Sequence, residues 1–175
     1  MIIKLADIEG QLVIRGELAC SAFSDLEEKQ FTMASPVRYE LKAQKMGDRV
    51  RIEGAVHGSM GMVCGRCLDE FSYPINSCLD IELAPAELAP QATELELRSD
   101  DLDLYYFEGD EIDVDPFIYD EVLLNVPLRP LCREDCAGLC PTCGLNRNNN
   151  ACSCDQAVST VLGEKLKSFL TKQGD

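Results

Sequence analysis

Ten cysteines are the residues of this 175-residue chain with the clearest potential for chemistry. Cys64 and Cys67 form a C-x2-C turn, six more cysteines lie between residues 132 and 154, and Cys20 and Cys78 stand alone. Zinc favours thiolate ligands in a tetrahedron, and one C-x2-C turn supplies two of the four. The eight clustered cysteines therefore predict two four-sulfur metal sites, and we interpret the two isolated ones as structural thiols.

Two assignments of these eight cysteines to sites are open. In the first, which we favour, the last four cysteines form one site within the C-terminal segment. The other four form a second site that joins the strand region to the C-terminal segment. Its two groups are Cys64, Cys67, Cys132 and Cys136, and Cys140, Cys143, Cys152 and Cys154. In the second assignment the two C-x2-C turns share one ion, through Cys64, Cys67, Cys140 and Cys143.

Two zinc ions are the predicted cofactors, and an iron–sulfur cluster is the alternative. The spacing Cys136-x3-Cys140-x2-Cys143 matches the cluster motif of radical enzymes that cleave S-adenosylmethionine. Those enzymes need a large α/β barrel after the motif, whereas only 32 residues follow Cys143 here. The alternative is therefore a simple cluster held by four thiolates.

The remaining sequence predicts no enzyme. Neither a phosphate-binding P-loop motif nor the G-x-S-x-G motif of serine hydrolases occurs. The single histidine, His57, lacks a neighbouring Cys or Ser motif that would make it a general base. Paired acids such as Asp100-Asp101 lack the spacing of a calcium-binding loop, so a solvated acidic surface is the simpler interpretation.

Acidic residues outnumber basic ones by 31 to 16, which gives a formal net charge of -15. Residues 82–121 hold fourteen acidic side chains and one basic side chain, and thus nearly the whole surplus. This composition argues against a free-standing, non-specific nucleic-acid binder, which needs clustered lysine and arginine. No apolar stretch is long enough to span a membrane, and acids at positions 7 and 9 argue against a signal peptide, so we expect a cytoplasmic protein.

Hydrophobic patterning predicts an α+β fold with an antiparallel sheet or an open, barrel-like core. Two-residue alternation predicts strands over 11–19, 37–43, 49–56, 71–83 and 102–107, with a hairpin at Gly47-Asp48 and a loop over 84–101. One helix is predicted from Asp115 to a stop at Pro127, and a second over residues 155–171. We expect a β-rich core over 1–127, containing the acidic segment, and a zinc segment with its helix over 128–175, packed as one unit.

The two cysteine motifs carry a resemblance to a known family. Cys64-Gly-Arg-Cys-Leu-Asp-Glu-Phe71 and Val126-Pro-Leu-Arg-Pro-Leu-Cys132-Arg-Glu-Asp-Cys-Ala-Gly-Leu-Cys-Pro-Thr-Cys-Gly144 resemble the YceD family, bacterial proteins linked to accumulation of large-subunit ribosomal RNA. The resemblance implies a non-enzymatic role in synthesis, processing or stability of 23S rRNA, and a gene that commonly neighbours that of ribosomal protein L32. The first six clustered cysteines match the family pattern, whereas Asp155-Gln-Ala-Val158 departs from the family's Asp-Pro-Arg-aromatic sequence.

A link to RNA and a large negative charge are reconciled if the contact runs through a basic protein. We therefore hypothesise that residues 82–121 form an acidic face for a basic ribosomal protein or assembly factor, with L32 a candidate. One alternative is direct RNA binding by the zinc segment through Arg129, Arg133, Arg147 and the Asn146–Asn150 run. Another is a metal-dependent RNA-processing hydrolase, which would need a metal with an open ligand position.

Overall fold

The computed structural model describes residues 1–29, 31–90 and 104–154. Within them, in chain order, lie β1 (Ile2–Lys4), β2 (Gln11–Leu18), β3 (Phe31–Met46), β4 (Arg49–Val63), β5 (Glu70–Pro85), β6 (Leu104–Phe107), β7 (Glu111–Asp113) and α1 (Asp115–Leu124). Short 3-10 segments occupy Leu5–Asp7, Cys20–Lys29 and Ala86–Leu88. The helix predicted over 155–171 and residues 91–101 of the predicted loop lie outside the described residues.

Five strands form one sheet in the order β2-β3-β4-β5-β6, and β1 pairs with β7 in a second, two-stranded sheet. The pairs β2–β3, β3–β4 and β4–β5 are antiparallel, whereas β6 runs parallel to β5. The predicted β3–β4 hairpin is confirmed: Met46 pairs with Arg49 across the Gly47-Asp48 turn, where Gly47 adopts a φ of 66°. Among the described strands β2 and β6 are the edges, so this sheet is open.

The three central strands are longer than the sequence predicts. The buried side chains of β4 are Val50, Ile52, Val56, Met60 and Met62, and glycines at the intervening inward positions 54 and 58 hide that pattern in the sequence. The first half of β3 is obscured by register shifts between Met33 and Arg38. The loop predicted from residue 84 is wrong at its start, because β5 continues through Pro85.

The inward face of the large sheet forms the hydrophobic core, and α1 packs against β5 across it. Pro116 lies in the first turn of α1, as predicted, and Ile118 and Val122 are its fully buried side chains. The Tyr119 ring stacks on Phe23, with ring centroids 5.3 Å apart. The predicted first helix and antiparallel sheet are thus confirmed. The strand predicted over 102–107 is found as β6, but its parallel pairing with β5 was not predicted.

The opposite face of the sheet is polar and carries cross-strand ion pairs. Arg15 binds Glu40 with two hydrogen bonds of 3.0 Å, and Arg51 holds Asp80 with bonds of 2.9 and 2.7 Å. Hydrogen bonding to these arginines lowers the pKa of Glu40 and of Asp80. All four side chains are well exposed, and exposed pairs of this kind contribute little to stability. This face of the sheet is therefore a polar, solvent-exposed surface that contributes little to the stability of the sheet.

None of the helices in the described ranges is long and apolar enough to cross a membrane.

Candidate metal centres

The first C-x2-C turn is the connection between β4 and β5. Val63 pairs with Glu70 at the end of the hairpin, and the turn between them is closed by a Cys64 N–H to Asp69 carbonyl bond of 2.9 Å. The Leu68 N–H donates to the Cys64 carbonyl at 3.0 Å, and Leu68 has a φ of 62°. The long central hairpin thus presents Cys64 and Cys67 at its tip.

The second C-x2-C turn repeats this geometry. The Gly144 N–H donates to the Cys140 carbonyl at 2.9 Å, and Gly144 has a φ of 72°. The sequence predicts the left-handed turn at Gly144, because glycine adopts it without steric cost. It gives no such signal at Leu68, where a bulky residue takes the same role and is 63% exposed.

Four sulfurs meet beside the hairpin tip, and we call Cys64, Cys67, Cys132 and Cys136 the inner group. The Cys64–Cys136 and Cys67–Cys132 sulfur distances are 3.8 and 3.7 Å, and all four sulfurs lie within 4.8 Å of one another. A tetrahedron with zinc–sulfur bonds of ~2.3 Å has edges of about 3.8 Å. Three of the four side chains are buried, so the inner group has the spacing and the enclosure of a structural zinc site.

The last four cysteines, Cys140, Cys143, Cys152 and Cys154, are the outer group, and their sulfurs also lie within 4.8 Å of one another. Cys140 is buried and Cys143 is exposed. The structure thus assembles the two groups of the favoured assignment, and it does not bring together the four cysteines of the rival one. Cys20 and Cys78 are exposed and belong to neither group.

Arg66, between the two cysteines of the first turn, hydrogen-bonds the segment that supplies the other two sulfurs of the inner group. Its guanidinium donates to the carbonyls of Glu134 and Cys136, at 3.2 and 3.1 Å. The Arg66 carbonyl in turn accepts the Leu139 N–H at 3.0 Å, and the Gly65 N–H donates to the Pro130 carbonyl at 2.8 Å. These hydrogen bonds hold the hairpin tip against the segment that supplies Cys132 and Cys136.

The asparagines proposed to contact RNA are largely used inside the protein. Asn148 donates from Nδ2 to the Cys136 sulfur at 3.3 Å, and its Oδ1 accepts from the Ala137 N–H at 2.8 Å and from Arg133 at 2.9 Å. Asn146 donates to the Asp69 carboxylate at 2.7 Å. This supporting role was not predicted from the sequence, although polar groups around a metal site commonly hydrogen-bond its ligands.

The thiols of the inner group differ in acidity. Burial raises the pKa of Cys64, but hydrogen bonds from the backbone N–H groups of Cys132, Cys67 and Arg66 outweigh it and lower the pKa to about 6. A bond from the Asp69 N–H lowers the pKa of Cys67, yet burial and the neighbouring sulfurs raise it to about 12. Cys64 is thus stabilised as a thiolate, whereas Cys67 is harder to deprotonate because its neighbours already carry negative charge.

The outer group shows the same contrast. Backbone N–H groups of Cys143 and Thr142 lower the pKa of Cys140 to about 6, whereas hydrogen bonding to Cys143 and burial raise that of Cys154 to about 12. Four thiolates at such spacing repel one another, and a divalent cation removes that repulsion. With four sulfur ligands each such site is closed, which suits a structural metal rather than a catalytic one.

His57, the single histidine, lies on the polar face of the sheet, away from both groups. Its Nδ1 is 3.0 Å from the Asn76 side-chain oxygen. His57 is thus an exposed strand residue whose ring has an amide partner.

A comparison with protein-family models identifies the family of the chain. The sequence model described as "Large ribosomal RNA subunit accumulation protein YceD" matches residues 52–169, which include all eight cysteines of the two groups. The chain belongs to the YceD family. The resemblance noted in the two cysteine motifs is thereby confirmed, and the family is named for accumulation of large-subunit ribosomal RNA.

Curated relatives agree with membership of the YceD family. An uncharacterized protein of Mycobacterium tuberculosis is 29% identical over 106 residues, covering 61% of this chain and 49% of the relative. The Bacillus subtilis protein YlbN is 28% identical over 58% of this chain and 54% of its own length. An Arabidopsis thaliana protein named as a chloroplastic YCED homolog 1, for large ribosomal RNA subunit accumulation, is 26% identical over 72% of this chain and 46% of its own.

The chain thus spans about half the length of the curated relatives it matches. No solved structure matches it.

Proposed function

We propose that this protein is a non-enzymatic ribosome-biogenesis factor that supports the synthesis, processing or stability of 23S rRNA. The observation that carries the proposal is the family match, which spans the hairpin tip and both cysteine groups. The two groups act as closed, structural zinc sites. All ten cysteines are unpaired, which fits a reducing cytoplasm.

Zinc fits the inner group better than a four-iron cluster does. In such a cluster each thiolate bonds its own iron, so the sulfurs stand further apart than around one ion. The sulfur distances of 3.7 and 3.8 Å match the edges of a tetrahedron around a single ion. Metal analysis of the reduced protein is expected to give two zinc ions per chain and no iron; a stoichiometric content of iron and sulfide would contradict the assignment.

The contact with the ribosomal machinery runs through the acidic segment, residues 82–121, and a basic protein. In the described part of this segment several acids are engaged: Glu82 pairs with Arg49 and Glu111 pairs with Lys4. Glu108, Asp110 and Asp120 are exposed and form no ion pair with the described residues. Such uncompensated charges attract a lysine- and arginine-rich partner and speed its encounter.

The test measures the binding of purified ribosomal protein L32, the candidate partner, to three forms of the full chain. The first form is the wild type. The test variant neutralises three free acids of the segment, namely Glu108→Gln, Asp110→Asn and Asp120→Asn. The control variant makes the same change of charge elsewhere on the surface, namely Asp48→Asn, Glu70→Gln and Glu134→Gln.

We expect the test variant to bind about 10-fold more weakly at low salt and to show a shallower dependence on salt, whereas the control variant stays close to the wild type. The difference arises because removing local negative charge reduces electrostatic steering only where the partner docks. Equal binding by both variants, or binding that is independent of salt, would contradict an acidic docking face.

Direct RNA binding by the zinc segment is the competing function, and the contacts weaken it. Arg133 bonds Asn148 and lies 3.3 Å from Asp135, so it is held within the segment. Arg129 and Arg147 remain exposed. Binding of a 23S rRNA fragment that is lost in an Arg129→Gln, Arg147→Gln variant, with no response to the acidic variant, would favour this function over ours.

A further inference from the structure

A short loop of the outer group, residues 144–151 between Cys143 and Cys152, makes hydrogen bonds to the inner group. Asn146 and Asn148 lie in this loop, yet their side chains bond the inner group and its hairpin. The loop thus belongs to the outer group by its covalent ends and to the inner group by its hydrogen bonds.

Asn148 makes the more direct of these contacts. Its amide nitrogen donates to the Cys136 sulfur at 3.3 Å, and its oxygen accepts the N–H of Ala137, next to that cysteine, at 2.8 Å. A second bond of the same amide nitrogen, 3.0 Å to Asn146 Oδ1, fixes its orientation. A donor aimed at a ligating sulfur offsets part of its negative charge and restrains its position.

The backbone supports the same connection. The Arg147 N–H donates to the Gly138 carbonyl at 2.9 Å, and Leu139 pairs with Asn146 in an isolated antiparallel bridge. Gly138 has a φ of 69°, and an added Cβ there would lie 3.0 Å from the Arg66 carbonyl oxygen. Residues 137–139, which lie between the two groups, are therefore closely packed. Movement of the loop would disturb this segment and with it Cys136.

We propose that Asn148 is a positioning residue that couples the two metal centres, so that metal in the outer group strengthens metal binding by the inner group. An ion bound by Cys143 and Cys152 holds the two ends of the loop together. Less conformational entropy is then lost when Asn148 hydrogen-bonds to the Cys136 sulfur. The outer group, with its exposed Cys143, then controls how firmly the buried group holds its ion. The inference rests on the proposed zinc sites.

The test is a cycle of four full-length proteins titrated with Zn²⁺ under reducing conditions, in competition with a chromophoric chelator. They are the wild type, Asn148→Ala, an outer-group variant with Cys152→Ser and Cys154→Ser, and the combination of all three changes. Asn149→Ala is the matched control, because Asn149 is the exposed neighbour in the same loop.

We expect Asn148→Ala to lower the overall affinity for two zinc ions by about 10- to 100-fold when the outer group is intact. In the outer-group variant, which binds one ion, the same substitution is expected to change the affinity by less than about 3-fold, because the unclosed loop no longer holds Asn148 in place. Asn149→Ala is expected to match the wild type.

Equal effects of Asn148→Ala in both backgrounds, or no effect in either, would overturn the coupling while two zinc ions still bind the wild type. A wild type that binds no zinc would overturn the metal centres themselves and the coupling with them. The two failures are thus separated by the stoichiometry of the wild type.

Discussion

Removal of one inner-group sulfur is expected to abolish the native fold of the C-terminal half of the described chain. Structural zinc sites of this kind contribute an apparent ~10–16 kcal/mol, which equals or exceeds the ~5–15 kcal/mol by which most domains are stable. The inner group joins the β4–β5 hairpin to a segment more than sixty residues away in sequence. Within the described residues, its buried cluster consists of Cys64, Cys67 and Cys136, with only the partly buried Phe71, Leu131 and Cys132 packed against it. On the proposed assignment, a metal bound here would take over much of the stabilising role of a hydrophobic core at this end of the protein.

We propose to compare Cys136→Ser with Cys78→Ser, since the second removes an exposed thiol that belongs to neither group. Cys136→Ser is expected to retain at most one zinc ion and to unfold at a much lower denaturant concentration than the wild type. Cys78→Ser is expected to keep two ions and the wild-type midpoint. Strong chelation of the wild type should reproduce the first result, and a chelated protein with an unchanged thermal transition would contradict a structural role for the metal.

Gly54→Ala is expected to destabilise the central sheet by about 3 kcal/mol or more, at the upper end of what an extra methyl group costs in a packed interior. Gly54 lies opposite Leu41 on the inward side of β4, where β3 comes unusually close. A Cβ there would lie 2.1 Å from the Glu40 carbonyl oxygen and 2.7 Å from the Leu41 Cα. Both atoms belong to the backbone, so relief requires the two strands to separate.

The matched control is Gly61→Ala on the same strand. Its added Cβ would lie 3.1 Å from the Thr32 hydroxyl, which belongs to an exposed side chain that can turn away. We expect the free energy of unfolding to change by about 0.5 kcal/mol or less for this variant. Chemical denaturation of both variants measures the contrast, and equal free energies of unfolding would show that strand approach at Gly54 does not constrain the sheet.

The two groups of four cysteines could be predicted from the sequence because much of their signal is local. A C-x2-C turn places two sulfurs on one ion whatever surrounds it, and the eight clustered cysteines fall into two complete sets of four. The hairpin at Gly47-Asp48 and the start of α1 at Pro116 were predictable for the same reason, since each depends on the backbone preferences of one or two residues.

Features that depend on contacts between distant segments were not predictable. The parallel pairing of β6 with β5 and the pairing of β1 with β7 join segments whose own patterns are too short to indicate a partner. The true lengths of β3 and β4 were hidden by glycines and bulges, because these residues interrupt the alternation without ending the strand.

The thiols available for metal and the location of the negative charge can be read from residue types and their spacing. Which four sulfurs come together depends on the fold, because a tetrahedron can join any pairs that folding brings within a few ångströms. The tertiary structure also decided that Asn148 faces a sulfur and that Arg66 faces carbonyl groups. These are the contacts through which the hairpin, the inner group and the outer group support one another.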